Sequence, residues 1–173
     1  MALPNINKLP SGEPALRIAG FTEDSIVDGP GIRNVIWVQG CPHHCKGCHN
    51  PQTHRTNAGA LVPVKTVAEW LLKYKHHSGI TLSGGEPMEQ AESLCLLLDA
   101  LPKMNVWCYT GYTFEECLED PDKKKLLEKV DVLVDGKFEI EKMPGGKWRG
   151  SSNQRLIDVQ KSLKENRTIL WEN

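Results

Sequence analysis

The chain has 173 residues, the size of one domain, and a domain of that length buries roughly two-thirds of the surface its unfolded chain exposes. With 39% hydrophobic and 25% charged residues the composition excludes wholesale disorder and fibrous architectures. The 21 basic and 22 acidic side chains leave a formal charge of -1, so neither nucleic acid nor an anionic membrane is expected as a partner.

Residues 1–15 mix polar residues with prolines and show no period, which predicts a flexible arm ahead of a single domain over residues 16–173. The start also lacks a basic segment leading into an apolar one, and no apolar run reaches the roughly 20 residues that span a bilayer, so the chain is expected in the cytoplasm. The β-branched and aromatic run at residues 34–39 predicts a strand that ends at Gly40. Val64, Val67, Leu71 and Leu72 stand at helical spacing, with Pro63 suited to the helix start, predicting a helix over residues 64–74. Residues 79–83 read as a second strand, closed by Gly84 and Gly85, and residues 88–101 as a helix closed by Pro102.

A third strand follows at residues 105–109, then a charged helix at residues 122–129 with Leu126 and Leu127 apolar, then a fourth strand at residues 130–134. Residues 143–152, rich in glycine, read as a loop. Strands alternating with helices imply right-handed crossovers and a parallel sheet, with functional loops at the carboxyl ends of the strands. A closed eight-unit barrel takes about 250 residues, so the fold class expected is α/β, an open partial TIM-like (β/α) barrel with a mostly parallel sheet.

Three of the six cysteines crowd into Cys41-Pro42-His43-His44-Cys45-Lys46-Gly47-Cys48, directly after the first predicted strand. In a reducing compartment such clustering favours a metal over disulfides. Three thiolates can occupy three corners of a cubane iron-sulfur cluster and leave one iron open, which suits chemistry better than electron storage. Spacing alone also admits zinc held by the three cysteines and one of His43, His44 or His49. Cys95, Cys108 and Cys117 sit in or beside apolar segments and read as small hydrophobes. His43 and His44 read as exposed loop residues, and His76 and His77 as the solvated end of a helix. Ser83-Gly84-Gly85-Glu86-Pro87 taken alone reads as a tight turn; as part of a site, its glycines let the backbone approach a ligand, and Glu86 or nearby carbonyls can accept from an ammonium group.

The cysteine spacing after a first strand, with Ser83-Gly84-Gly85-Glu86-Pro87 after a second, resembles the radical S-adenosylmethionine superfamily. Gly47 stands where that signature usually has an aromatic residue. Within the superfamily the chain is most similar to the anaerobic ribonucleoside-triphosphate reductase activating proteins, on Asp28-Gly29-Pro30-Gly31, Cys48-His49-Asn50-Pro51, Tyr109-Thr110-Gly111-Tyr112 and the segments at residues 131–138 and 149–155. The resemblance covers residues 21–159. It implies a radical S-adenosylmethionine domain with a 4Fe-4S cluster on Cys41, Cys45 and Cys48. It implies S-adenosyl-L-methionine near Gly47, Cys48, His49, Ser83, Gly84, Gly85 and Glu86, with Asp135 and Lys137 contacting its ribose or carboxylate.

The implied activity is reductive cleavage of S-adenosylmethionine to a 5'-deoxyadenosyl radical, which takes a hydrogen from a backbone glycine of anaerobic ribonucleoside-triphosphate reductase. No side-chain acid or base is obligatory for it. An electron donor of the reduced-flavodoxin kind, or another, is implied as a second partner, and residues 149–154 are expected to contact the reductase. The alternatives are an activase of another glycyl radical enzyme, such as pyruvate formate-lyase, and a non-catalytic zinc or iron-sulfur module.

Overall fold

The computed structural model describes residues 8–74 and 77–173; His76 of the histidine pair lies outside the described residues. Seven strands, β1 (Ala15–Ser25), β2 (Arg33–Val38), β3 (Ala60–Pro63), β4 (Gly79–Gly84), β5 (Asn105–Tyr109), β6 (Val132–Asp135) and β7 (Arg155–Asp158), form one sheet in the order β3-β1-β2-β4-β5-β6-β7. Five α-helices, α1 (Val64–Leu71), α2 (Ala91–Asp99), α3 (Phe114–Glu119), α4 (Pro121–Leu127) and α5 (Val159–Glu165), and three 3-10 turns, Pro51–Thr53, Pro87–Gln90 and Ile140–Lys142, complete the described elements.

The expected mostly parallel sheet and TIM-like barrel give way to an open, mixed α/β sheet. β2, β4, β5 and β6 run parallel, whereas β1 pairs antiparallel with β2 and β3, and β7 antiparallel with β6. Link length is the reason at one edge: residues 26–32 between β1 and β2 are too few for a crossover, which takes about a dozen or more. At the other edge residues 136–154 hold only a single 3-10 turn, Ile140–Lys142, so no helix carries the chain across the sheet and β7 returns antiparallel.

One sheet face carries the helices. Val67, Leu71, Leu94, Leu97, Leu126 and Leu127 pack there on Ile36, Val38, Leu82, Cys108 and Leu133, with Cys117 in the same core and Cys95 at its rim. The opposite face is aromatic: Trp107, Val132 and Val134 are buried under Tyr109, Trp148, Leu156 and Trp171. Trp107, Trp148 and Trp171 meet edge to face at centroid distances of 5.1–5.6 Å. Arg33, buried on this same face, donates to Thr81 Oγ1 (2.9 Å) and to the carbonyls of Pro30, Ile80 and Asn105, and lies 5.7 Å from the Trp107 ring centroid. Thr81 in turn donates to the Asp28 carbonyl (2.7 Å), which folds the link between β1 and β2 back over the sheet.

Candidate functional site

The site lies at the carboxyl ends of β2 and β4, where Val38 pairs with Gly84. Pairing continues past both strands: Gly85 N–H donates to the Val38 carbonyl and Glu86 N–H to the Gly40 carbonyl, each at 2.8 Å. Gly40 N–H donates to Thr53 and Cys41 N–H to His54, closing the base of the cysteine loop on residues 53–54. Gln39 holds this return from below, its amide donating to the carbonyls of Gln52 and Arg55. The two glycines of the second motif thus serve backbone packing. A Cβ on Gly84, whose φ is +107°, would stand 2.5 Å from Val38 N, and one on Gly85 would run into the Gly40 backbone.

Cys41, Cys45 and Cys48 line one cavity of about 320 Å3 together with His49 and Ser83, Gly84, Gly85 and Glu86. The two motifs, far apart in sequence, therefore face one space. Cys48 Sγ accepts from Asn50 N–H at 3.4 Å. Burial, with smaller contributions from Glu86 and Cys45, pushes the Cys41 thiol up to about 11, so it keeps its proton at neutral pH until a metal displaces it. Gly47 is in the left-handed region (φ +74°), and a Cβ there would crowd the Ile140 side chain, which accounts for glycine at this position.

Glu86 is fully buried, and protein donors take all four of its acceptor positions. Oε1 accepts from Met88 N–H (2.9 Å) and Thr110 Oγ1 (2.7 Å); Oε2 accepts from Gly111 N–H (2.8 Å) and faces His43 Nε2 at 2.7 Å. His43 is thus not the exposed loop residue expected from sequence. Its ring turns inward, bonds Glu86 and meets Tyr112 edge-on at 4.6 Å, because a fully buried carboxylate needs its last acceptor position filled. His44 is exposed, as expected. His77 pairs with Asp24 at 2.6 Å and stands beyond the end of α1, not at a helix terminus.

Asp135 and Lys137 do not line the cavity. Asp135, buried at the end of β6, accepts from Arg155 Nε (2.9 Å), Arg155 Nη2 (2.5 Å) and Phe114 N–H (2.7 Å), tying β7 and the start of α3 to β6. The Lys137 side chain is exposed, while its neighbours Gly136 and Phe138 line the cavity. Residues 149–154 form a knit loop: Gln154 Oε1 accepts from Gly150 and Ser151 N–H, and Arg149 Nη1 donates to the Gln154 carbonyl. Gly150 and Gln154 reach the cavity.

Several lining residues had no role assigned from sequence: Asp28, His54, Thr110, Gly111 and Phe138. Shared motifs contain Asp28, Thr110, Gly111 and Phe138, which marked their segments without giving a task; His54 carried no signal.

The donor set fits an iron-sulfur cluster. Soft thiolates suit iron-sulfur chemistry and zinc alike. Of the histidines beside the cysteines, His43 is committed to Glu86, while His44 lies edge-on to His54 at 5.1 Å and His49 against Phe138 at 4.9 Å. Among the described residues no group of three His, Cys, Asp or Glu side chains is gathered for a single metal ion. Three cysteines spaced around one cavity suit separate irons of a cluster better than a single ion.

Residues 27–157 match the model of a family described as a 4Fe-4S single cluster domain. A protein of Enterobacteria phage T4 is 40% identical over 139 residues, 75% of this chain and 86% of the relative. One from Vibrio cholerae is 39% identical over 140 residues, covering 75% and 89%, and one from Escherichia coli K12 is 35% identical over 141 residues, covering 75% and 90%. Each relative is named an anaerobic ribonucleoside-triphosphate reductase-activating protein.

Proposed function

The chain belongs to the family of anaerobic ribonucleoside-triphosphate reductase-activating proteins, with a 4Fe-4S single cluster domain over residues 27–157, and from that premise we propose that it generates the glycyl radical of an anaerobic ribonucleoside-triphosphate reductase. The observation that carries this reading is the meeting of Cys41, Cys45 and Cys48 with Ser83, Gly84, Gly85 and Glu86 around one cavity. A 4Fe-4S cluster held by Cys41, Cys45 and Cys48 would supply the electron for reductive cleavage of S-adenosylmethionine, and so the means of taking a hydrogen atom from a glycine of the reductase.

Cys41, Cys45 and Cys48 would hold three irons of the cluster, and among the described residues no fourth cysteine lines the cavity, so S-adenosylmethionine would complete the coordination. The backbone of Ser83, Gly84 and Gly85, which lines the cavity, would receive the amino group through its carbonyl oxygens. Glu86 works from behind, its acceptor positions already filled, by holding that backbone against the cysteine loop. His49, next to Cys48, bounds the cofactor on the loop side and Phe138 helps to keep water out, whereas Gly47, expected beside the cofactor, does not line the cavity and shapes the loop against Ile140 instead. An external donor of the reduced-flavodoxin kind, or another, supplies the electron. A compartment that keeps thiols reduced, such as the cytoplasm, is the setting this chemistry requires. Among the described residues no helix is long and apolar enough to cross a membrane.

The test is anaerobic reconstitution with iron and sulfide, followed by reduction with S-adenosylmethionine and the reductase. Expected are 5'-deoxyadenosine and a glycyl radical signal on the reductase by electron paramagnetic resonance, with pyruvate formate-lyase left unactivated. Fully reconstituted protein that forms no 5'-deoxyadenosine would overturn the proposal.

A further inference from the structure

His54 stands out among the cavity residues because nothing in the protein uses its ring nitrogen. Nε2 is sealed from solvent and has no hydrogen-bond partner among the described residues. A buried polar atom left this way costs about 1–3 kcal/mol, so such atoms are rare unless something else meets them. The residue lines the same cavity as Cys41, Cys45 and Cys48.

Its position is fixed from three sides. Its own N–H donates to the Pro51 carbonyl, its carbonyl accepts from Cys41 N–H at 3.2 Å, and its ring meets that of His44 edge-on at 5.1 Å. Thr53, buried beside it, donates to the Asn50 carbonyl and holds the turn that presents the ring. Both backbone and ring therefore belong to the cysteine-loop wall, since His44 lies between Cys41 and Cys45. No cysteine sulfur satisfies Nε2 directly.

We propose that His54 Nε2–H donates a hydrogen bond to a sulfur of the iron-sulfur cluster held by Cys41, Cys45 and Cys48, and so raises the potential at which that cluster accepts an electron. Hydrogen bonds to cluster sulfurs stabilise the reduced, more negative form and are among the recognised determinants of potential. The inference rests on the cluster reading above. It extends that reading by assigning a tuning task to a residue outside both motifs.

The test compares wild type with His54→Phe and His54→Leu, which lack the donor, and His54→Gln, which restores one. All are reconstituted to equal iron and sulfide content and titrated by paramagnetic resonance without S-adenosylmethionine. In the two apolar variants the equilibrium for reduction is expected to weaken about tenfold, a fall of ~59 mV for one electron, with most of it recovered in the glutamine variant. Wild-type midpoints in both apolar variants would overturn the inference while leaving the cluster reading intact. Unchanged midpoints with weakened S-adenosylmethionine binding would overturn it too and reassign the bond to the cofactor. A wild-type protein that assembles no 4Fe-4S cluster would remove both.

Discussion

Glu86 caps its own turn through Met88 N–H and joins to it two distant parts of the chain, His43 in the cysteine loop and Thr110 and Gly111 after β5. Glu86→Gln keeps the shape but turns an amide NH2 toward groups that are themselves donors. Expected is a loss of about 2–4 kcal/mol in urea unfolding, since each buried donor left unmet costs ~1–3 kcal/mol, together with poor iron retention on reconstitution. A loss below about 1 kcal/mol with normal iron content would show that Glu86 does not hold the loop.

A second carboxylate makes a pH prediction. Arg155 bridges Asp135 and Glu115, and its bond pulls the Glu115 carboxyl from its ordinary 4.5 down to about 2. A depressed folded-state pKa gives stability that is complete above the unfolded value and is lost as pH falls from about 4.5 toward 2. Glu115 is more than half exposed, so the effect is small. Thermal midpoints of Glu115→Gln should fall less steeply than wild type across that window; parallel curves would remove Glu115 from the acid response. Neither network was legible in sequence. Ser83-Gly84-Gly85-Glu86-Pro87 drew attention to Glu86 as a ligand contact, but three of its four donors, His43, Thr110 and Gly111, come from other loops, which spacing along one segment cannot reveal.

Among the elements, those with an uninterrupted period were legible. The strands at β2, β4, β5 and β6 and the helices α1, α2 and α4 were each anticipated within a few residues, and the differences fall at their ends. The stretch expected as one helix over residues 88–101 begins as a 3-10 turn, Pro87–Gln90, before α2 proper. What escaped has a local cause. β1 loses its alternation to irregular register between Ile18 and Gly20 and again between Thr22 and Ser25, so its eleven residues carry no clean signal. β3 and β7 have four residues each and α3 six, too short for periodicity to speak. The capping box of Thr113 and Glu116 was the available sign of α3. Strand direction at the edges is set by what the links can span, so the antiparallel pairs that make the sheet mixed had no signature within the strands themselves.

For the whole molecule, the aromatic face is closed by the chain's own end. Trp171 N–H donates to the Leu156 carbonyl at 2.8 Å and its ring packs on Trp107 and Trp148, and these last residues lie beyond the span matched by the family model. Removing residues 168–173 uncovers Trp107 and Trp148 while leaving the cysteine loop untouched. The truncated protein should show a red-shifted tryptophan emission and a thermal midpoint lower by several degrees, about what a loss of 1–2 kcal/mol gives in a domain of this size. Unchanged emission and midpoint would mean that the tail contributes nothing to that face.

The contact of Gly85 against Gly40 reaches further than packing. With a bare backbone on each side, the foot of the cysteine loop is tied to the sheet by the backbone bonds of Gly85 to Val38 and of Glu86 to Gly40. Small zinc domains take shape only as the ion arrives. Here the foot of the loop carries its own backbone bonds to the sheet, and a side chain at Gly85, which would run into the Gly40 backbone, should loosen the loop whether or not iron is bound.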